Sequence, residues 1–267
     1  MNYEEVYGRN IGLFTREEQQ KLRDAKVAIA GVGGVGGVQA ATLARFGIGK
    51  LAIMDPGVFD EPDMNRQYGA TKSTLGMNKA VATGRLLRDI NPFMAVDVVD
   101  KALVSKSDLE AFMQDSALVI DAIDYTGFNH KARFAETARA LGVYNISAPI
   151  PDFGMLMMIF DPNGMTLEEF MGAPEDESLL PDFAAPPQRF FGSKYRPKNI
   201  YDFFEGEIGH ISTNAGATAL NGGIVATEAA LIITGKRKKE DIVTVPRVTY
   251  IDLEKRIFEV FNPLENS

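Results

Sequence analysis

The 267-residue sequence predicts an α/β fold: a doubly wound, mostly parallel mixed sheet with helices on both faces and an antiparallel hairpin at its C-terminal end. Three observations predict it. Residues 26–55 read as strand, glycine turn, helix and strand; helical and strand patterns then alternate as far as residue 147; and two alternating apolar runs, RVTYIDL and RIFEVF, flank Glu254-Lys255 near the end. The whole chain reads as one domain. Residues 1–150 form a nucleotide-binding half, 151–212 a lid or crossover region, and 213–267 a closing helix and strands.

Thr15 and Glu18 spell a capping box, which opens a short helix running through Arg23. Val27 to Ala30 is an apolar strand that meets Gly31, Gly33 and Gly36 in the spacing G-x-G-x-x-G, with Gly34 inside it. Gly31 permits the tight turn, Gly33 lets a phosphate approach bare backbone, and Gly36 lets the next helix lie close to the sheet. That helix starts with unpaired N–H groups that favour an anion. It runs to about Phe46 and stops at Gly47 and Gly49. Asp55 ends the second strand, 19 residues past Gly36, where a carboxylate can accept ribose hydroxyls. Strand, glycine turn, helix and acid together predict a Rossmann-like nucleotide site.

Residues 56–78 are rich in turn residues and too long for a simple connection, as functional loops often are. A helix follows over about Lys79–Ile90, then a strand over Met94–Val99, a short helix over Ser107–Met113 and a buried strand from Ala117 that ends on Asp121. Asp124 lies just past that strand, where ligands bind in open α/β sheets. A helix over about Gly127–Leu141 leads to strand Val143–Ser147. Met155–Phe160 is continuously apolar and reads as a buried strand. Residues 172–199 carry five prolines and read as a long irregular lid or crossing loop. Thr213–Gly235 reads as a helix loaded with Ala and Gly, which allows close approach either of the sheet or of a twin helix in a dimer.

Composition removes several classes of function. A net charge of −8 and a pI near 5.0 argue against a nucleic-acid surface. With no cysteine, the chain can hold no disulfide, no thiolate nucleophile and no cysteine zinc site, so no zinc is expected. No apolar run reads as long enough to cross a bilayer and the N-terminal residues do not resemble a leader, so no membrane association and a cytoplasmic location are expected.

Two chemistries fit a Rossmann-like site. Hydride transfer on NAD(P) would need a proton donor or acceptor near a carbonyl. The two histidines, His130 early in a helix and His210 in a loop, carry no recognisable partner pattern. Asn65, Arg66, Gln67, Lys79, Asp121 and Asp124 favour another reaction, since two cations and one or two carboxylates suit attack on an α-phosphate.

GVGGVGG, then Asp55, Asn65-Arg66-Gln67, Lys79 in a G-x-x-K context, and DAID at 121–124 resemble, in order, the adenylating domain of the ThiF, MoeB and HesA family, relatives of the ubiquitin-activating enzymes. Gly8-Arg9-Asn10 is similar to that family's element ahead of the first helix. The resemblance implies a mixed sheet wrapped by helices, usually in a homodimer, and an ATP-dependent adenylyltransferase. A substrate carboxylate would attack the α-phosphate of ATP to give an acyl-adenylate and pyrophosphate. Gly31, Gly33, Gly34 and Gly36 would hold the nucleotide and Asp55 its ribose. Asn65, Gln67 and Asp121 would line the nucleotide site, Arg66 and Lys79 would bind phosphates, and Asp124 would hold Mg²⁺. Arg9 would reach the γ-phosphate region of a partner subunit. The carboxylate would be the C-terminal glycine of a ubiquitin-like or sulfur-carrier protein, or belong to a peptide or small molecule.

The sequence departs from that family in three ways. It cannot form an enzyme-bound thioester, it lacks the C-x-x-C pairs, and it carries Asp63 and Tyr125 where Asn is common. Other readings are a tRNA-threonylcarbamoyladenosine dehydratase-like enzyme, which shares the DAID motif, an NAD(P)-dependent oxidoreductase, or a degenerate domain that only docks a partner.

Overall fold

A computed structural model describes residues 1–124 and 127–265. Among these, one sheet contains β1 (Lys26–Ala30), β2 (Lys50–Met54), β3 (Ala95–Val99), β4 (Ser116–Asp121), β5 (Tyr144–Ser147), β6 (Gly154–Phe160), β7 (Val248–Asp252) and β8 (Ile257–Phe261), in the order β3-β2-β1-β4-β5-β6-β7-β8. Pairings from β3 to β5 are parallel. Those from β5 to β8 are antiparallel, because the chain returns from β5 to β6 through a short link and closes in the expected hairpin. The helices are α1 (Tyr3–Val6), α2 (Arg16–Asp24), α3 (Gly34–Phe46), α4 (Lys79–Ile90), α5 (Lys106–Met113), α6 (Phe128–Ala140), α7 (Leu167–Met171), α8 (Gln188–Phe191), α9 (Lys198–Phe204) and α10 (Ala215–Thr234).

Side chains alternate across each strand, so β1 serves two cores at once. Val27 and Ile29 pack with Leu43 of α3, Leu87 of α4 and Ala226 of α10, while Ala28 and Ala30 pack with Phe112 of α5 and Phe134 of α6. A further core covers the antiparallel half, where Met158 and Tyr250 meet Phe170 of α7, Phe190 of α8 and Tyr201 of α9.

Local signals explain the helix ends. Both hydrogen bonds of the Thr15–Glu18 capping box form, and Gly47 takes a left-handed φ of 89° to end α3. Tyr3 of α1 and Tyr7, just past its end, cap the same end of α3, with Tyr3 donating to the Gly47 carbonyl at 2.7 Å and Tyr7 to that of Ala44 at 3.0 Å.

Two sequence expectations change, and one left open is resolved. The 172–199 segment is not irregular throughout: it includes α8 and the start of α9, and Phe190 and Phe191 are buried core residues. Proline-rich sequence hid these helices because packing, not propensity, holds four- to seven-residue helices in place. The small residues of α10 meet the sheet, where Ala226 packs with Val27 and Ile29, and also α3 of the same chain, where a Cβ at Gly222 would lie 2.6 Å from the Val38 side chain. Gln39 and Asn221 hydrogen-bond across that contact at 2.7 Å. Finally, α10 is twenty residues long and apolar enough to cross a membrane by length and composition, although half of the apolar stretch is buried in the fold. The sequence shows the helix but not its hydropathy, because Gly and Ala interrupt the run of large apolar side chains.

Candidate active site

The chain leaves β1 for β2 and β3 on one side and returns to β4 on the other, which opens a crevice between the carboxyl ends of β1 and β4. Gly31 turns out of β1 with φ of 89°, and a Cβ there would lie 2.4 Å from the Ala122 carbonyl oxygen, so glycine is required on two grounds. A Cβ at Gly36 would lie 1.8 Å from the Gly31 carbonyl oxygen, which fixes α3 close to the turn. Gly33 caps α3 without any side-chain hydrogen bond, and Gly34 opens it. The N-terminal amides of α3 therefore face the crevice without a side chain to satisfy them.

Asp55 ties the loop to the end of β2. Its Oδ2 accepts from the Val32 amide at 2.9 Å and its Oδ1 from the Gly57 amide at 2.8 Å. Each oxygen keeps a lone pair for a hydroxyl.

Asp63, 6% exposed, is the hub of the opposite wall. Lys79 Nζ lies 3.0 Å from Asp63 Oδ2, Arg66 Nη2 lies 3.7 Å from Oδ1, and the Gln67 amide donates to Oδ1. Burial alone would raise the Asp63 pKa, but hydrogen bonds from Lys79 and the Asp60 amide, with the Lys79 charge, hold it below its ordinary value. Arg66 also donates to Asn65 Oδ1 at 2.8 Å and to the Pro62 carbonyl at 3.1 Å.

Asp121, 1% exposed, is held in the fold chiefly through Oδ1. Lys131 Nζ lies 3.0 Å and 2.9 Å from its two oxygens and donates to the Ile123 carbonyl at 2.8 Å, while the Ile123 amide bonds Asp121 Oδ1 at 3.0 Å. Hydrogen-bond geometry is good only toward Oδ1, leaving Oδ2 with charge attraction alone. Asp124 is exposed, and no ion pair to it occurs among the described residues.

These groups line one cleft of about 770 Å³. Gly31, Gly33, Gly34, Asp55, Arg66, Gln67, Lys79, Asp121 and Asp124 all reach it. Gly36 stands behind the loop, and Asn65 turns away to donate to the Thr213 carbonyl at 3.1 Å. Arg9 is exposed beside the capped end of α3, about 20 Å from the glycine loop by the length of that 13-residue helix. His130 lines the cleft, whereas the exposed His210 is outside its lining. Tyr125 lies outside the described residues.

Sequence reasoning missed Lys131 and the pairing role of Asp63. Lys131 was detectable as a cation on the buried stripe Phe128, Lys131, Ala132 and Ala135 of α6, where an apolar residue belongs. Asp63 carries no such mark, because its partners lie in a turn whose shape the sequence does not specify.

Among the described residues no cluster of three or more metal-ligating side chains occurs. Magnesium with a nucleotide needs less, since it keeps several waters and takes one or two carboxylates together with phosphate oxygens. The exposed, unpaired Asp124 at the cleft fits that requirement.

The model of the ThiF family matches residues 7–267. Over 123 residues the chain is 32% identical to tRNA threonylcarbamoyladenosine dehydratase of Haemophilus influenzae, covering 46% of this chain and 47% of that protein. Over 120 residues it is 32% identical to molybdopterin-synthase adenylyltransferase of Escherichia coli, covering 44% and 48%. The matched stretch thus spans about half the length of these curated relatives. The crystal structure of E. coli MccB with ATP shares the fold, with a TM-score of 0.73 at 17% identity over 96% of this chain and 70% of that one.

Proposed function

Because the chain belongs to the ThiF family, we propose that it is an ATP-dependent adenylyltransferase that activates a carboxylate as an acyl-adenylate. The observation that carries this reading is the convergence of the glycine loop, Asp55, Arg66, Lys79 and Asp124 on one cleft at the switch point of the sheet.

In this reading the amides of the loop and of the α3 N-terminus bind phosphate oxygens, and the free lone pairs of Asp55 accept ribose hydroxyls. Arg66 and Lys79 exchange Asp63 for phosphate and stabilise the charge that develops on the equatorial oxygens. A carboxylate oxygen attacks the α-phosphorus, the bond from that phosphorus to the bridging oxygen breaks, and its electron pair leaves with pyrophosphate. No proton moves in that step. Asp124 would hold Mg²⁺, which supplies charge neutralisation of the phosphates when bound. With no cysteine, the adenylate passes directly to an external nucleophile.

Arg9 is too far to serve its own cleft, so its use requires a second copy, and a homodimer is part of the proposal. The acceptor is a ubiquitin-like or sulfur-carrier tail, a peptide, or a small-molecule carboxylate. The Haemophilus influenzae relative supports a second reading, in which the activated group sits on a modified tRNA nucleoside. The net charge of −8 weighs against such a polyanion.

Pyrophosphate exchange tests the reading. Carboxylate-dependent return of labelled pyrophosphate into ATP is expected from the wild type and at least a hundredfold less from Arg66→Ala. Stable ATP binding without exchange for any tail, peptide or small acid would favour a domain that only docks a partner.

A further inference from the structure

The cleft is sharply divided by charge. Every charged side chain that lines it comes from the stretch between Asp55 and Lys131, and among the described residues none that lines it from Ser147 to Thr218 carries a charge. The second half is built by the β5–β6 link, the ends of α7, α8 and α9, and the approach to α10. Its walls include Met158, Met171, Phe191, Ile200, Phe204 and Ile211. Met158, Met171 and Phe191 are fixed in the core of the antiparallel half, while Phe204 and Ile211 are only partly buried at its edge. The side-chain polar groups of this half are hydroxyls, Ser147, Thr213 and Thr218, with Ser147 beside Asp121 in the sheet and the Thr213 carbonyl accepting from Asn65.

From this division we infer the substrate class, on the premise that the cleft adenylates a carboxylate: the acid is carried on an apolar body, aromatic or branched aliphatic, that fills the second half. A tail ending in two glycines has no side chain to cover these walls. An acidic or basic side chain would lose its water there and find no counter-charge. An apolar body gains about 25 cal/mol for each Å² it removes from water. The size of the cleft sets a limit as well. A volume of about 770 Å³ lies within the range of a single ligand pocket, and the nucleotide takes the charged part of it. What remains suits one side chain or one ring system rather than a long tail. A free apolar acid and the apolar C-terminal residue of a peptide share this chemistry.

The test measures binding of four acids to the full chain by ligand-observed NMR, with a non-hydrolysable ATP analogue and Mg²⁺ present, followed by pyrophosphate exchange with the same acids. The acids are 4-phenylbutyrate, N-acetylphenylalanine, N-acetylglycylglycine and N-acetylglutamate. At least one of the first two is expected to bind about tenfold or more tightly than either of the last two, and to support exchange. Preference for 4-phenylbutyrate points to a free acid, and preference for N-acetylphenylalanine to a peptide end. Ile211→Glu, or Phe204→Glu should the first variant fail to fold, is expected to erase the preference with affinity for the ATP analogue unchanged. Equal or tighter binding of the glycine or glutamate compounds, or a preference that survives the folded variant, overturns the inference. Exchange supported by N-acetylglycylglycine alone would keep the adenylation reading and overturn the apolar class. Selective binding of the apolar acids without exchange would keep the apolar class and overturn adenylation.

Discussion

Lys79 Nζ lies 3.0 Å from Asp63 Oδ2, so a cation proposed to bind phosphate is already paired with a buried carboxylate. Arg66 approaches the other oxygen of the same carboxylate at 3.7 Å. One anion thus organises both cations, and it opposes the phosphates they would bind.

Asp63→Asn separates these roles. It removes a negative charge that would face the proposed nucleotide and leaves Lys79 without its partner. Mg-ATP affinity is expected to rise about three- to tenfold, near 1 kcal/mol, while stability falls by about 1–3 kcal/mol. Calorimetric titration and urea unfolding read the two effects. The pH dependence has a defined sign. Because the folded-state pKa of Asp63 is depressed, its contribution is complete above the ordinary value of 3.8 and is lost as pH falls through the lower folded value. The stability gap between wild type and variant should therefore stay constant from pH 7 to about 5 and close below pH 4.

Lys131→Met strands Asp121 as a buried, uncompensated charge and is expected to cost about 3–5 kcal/mol. Asp121→Asn combined with Lys131→Met removes both charges and should recover most of that loss. Chemical denaturation of the two single variants and the double variant measures the coupling. Additive losses would mean that the pair does not act as a unit.

Gly31→Ala places a Cβ 2.4 Å from the Ala122 oxygen at a φ of 89°. A loss of at least about 2 kcal/mol is expected. Gly223→Ala is the control, because nothing lies within 4 Å of a Cβ there. In the interior of α10 that change should stabilise by about 0.5–1 kcal/mol. Thermal unfolding of the two variants side by side checks both signs.

Much of this was legible in the sequence for a physical reason. Gly31 and Gly36 are demanded by backbone geometry, and the Thr15–Glu18 box and Gly47 by unpaired groups at helix ends, so each leaves a fixed residue at a fixed spacing. Asp55 and Asp124 were legible because strand ends define the crevice. Lys131 leaves only the mark of a cation on a buried stripe, and its partner depends on α6 folding back over Asp121. The short helices α8 and α9 were hidden for the same reason, as Phe190 and Tyr201 take their places from the core they enter. The partner of α10 required the Val38–Gly222 contact, which small residues allow and do not specify.

Arg9 tests the two-copy site. A mixture of Arg9→Ala and Lys79→Ala chains, each inactive alone, is expected to regain roughly a quarter of wild-type activity after subunit exchange, because half the dimers are mixed and one of their two sites is intact. Pyrophosphate exchange before and after mixing measures it. No recovery in chains shown to exchange would remove Arg9 from the partner's site.

The claim that the cleft is a Mg-ATP site is tested most directly by thermal unfolding of the wild type and of Lys79→Ala with no ligand, with Mg-ATP and with NADH. Mg-ATP at about a hundred times its dissociation constant should stabilise the wild type by about 2.7 kcal/mol, a rise of roughly 5–10 °C, and should do much less for Lys79→Ala at the same concentration. Stabilisation by NADH with no response to Mg-ATP would contradict the claim and return the cleft to hydride-transfer chemistry.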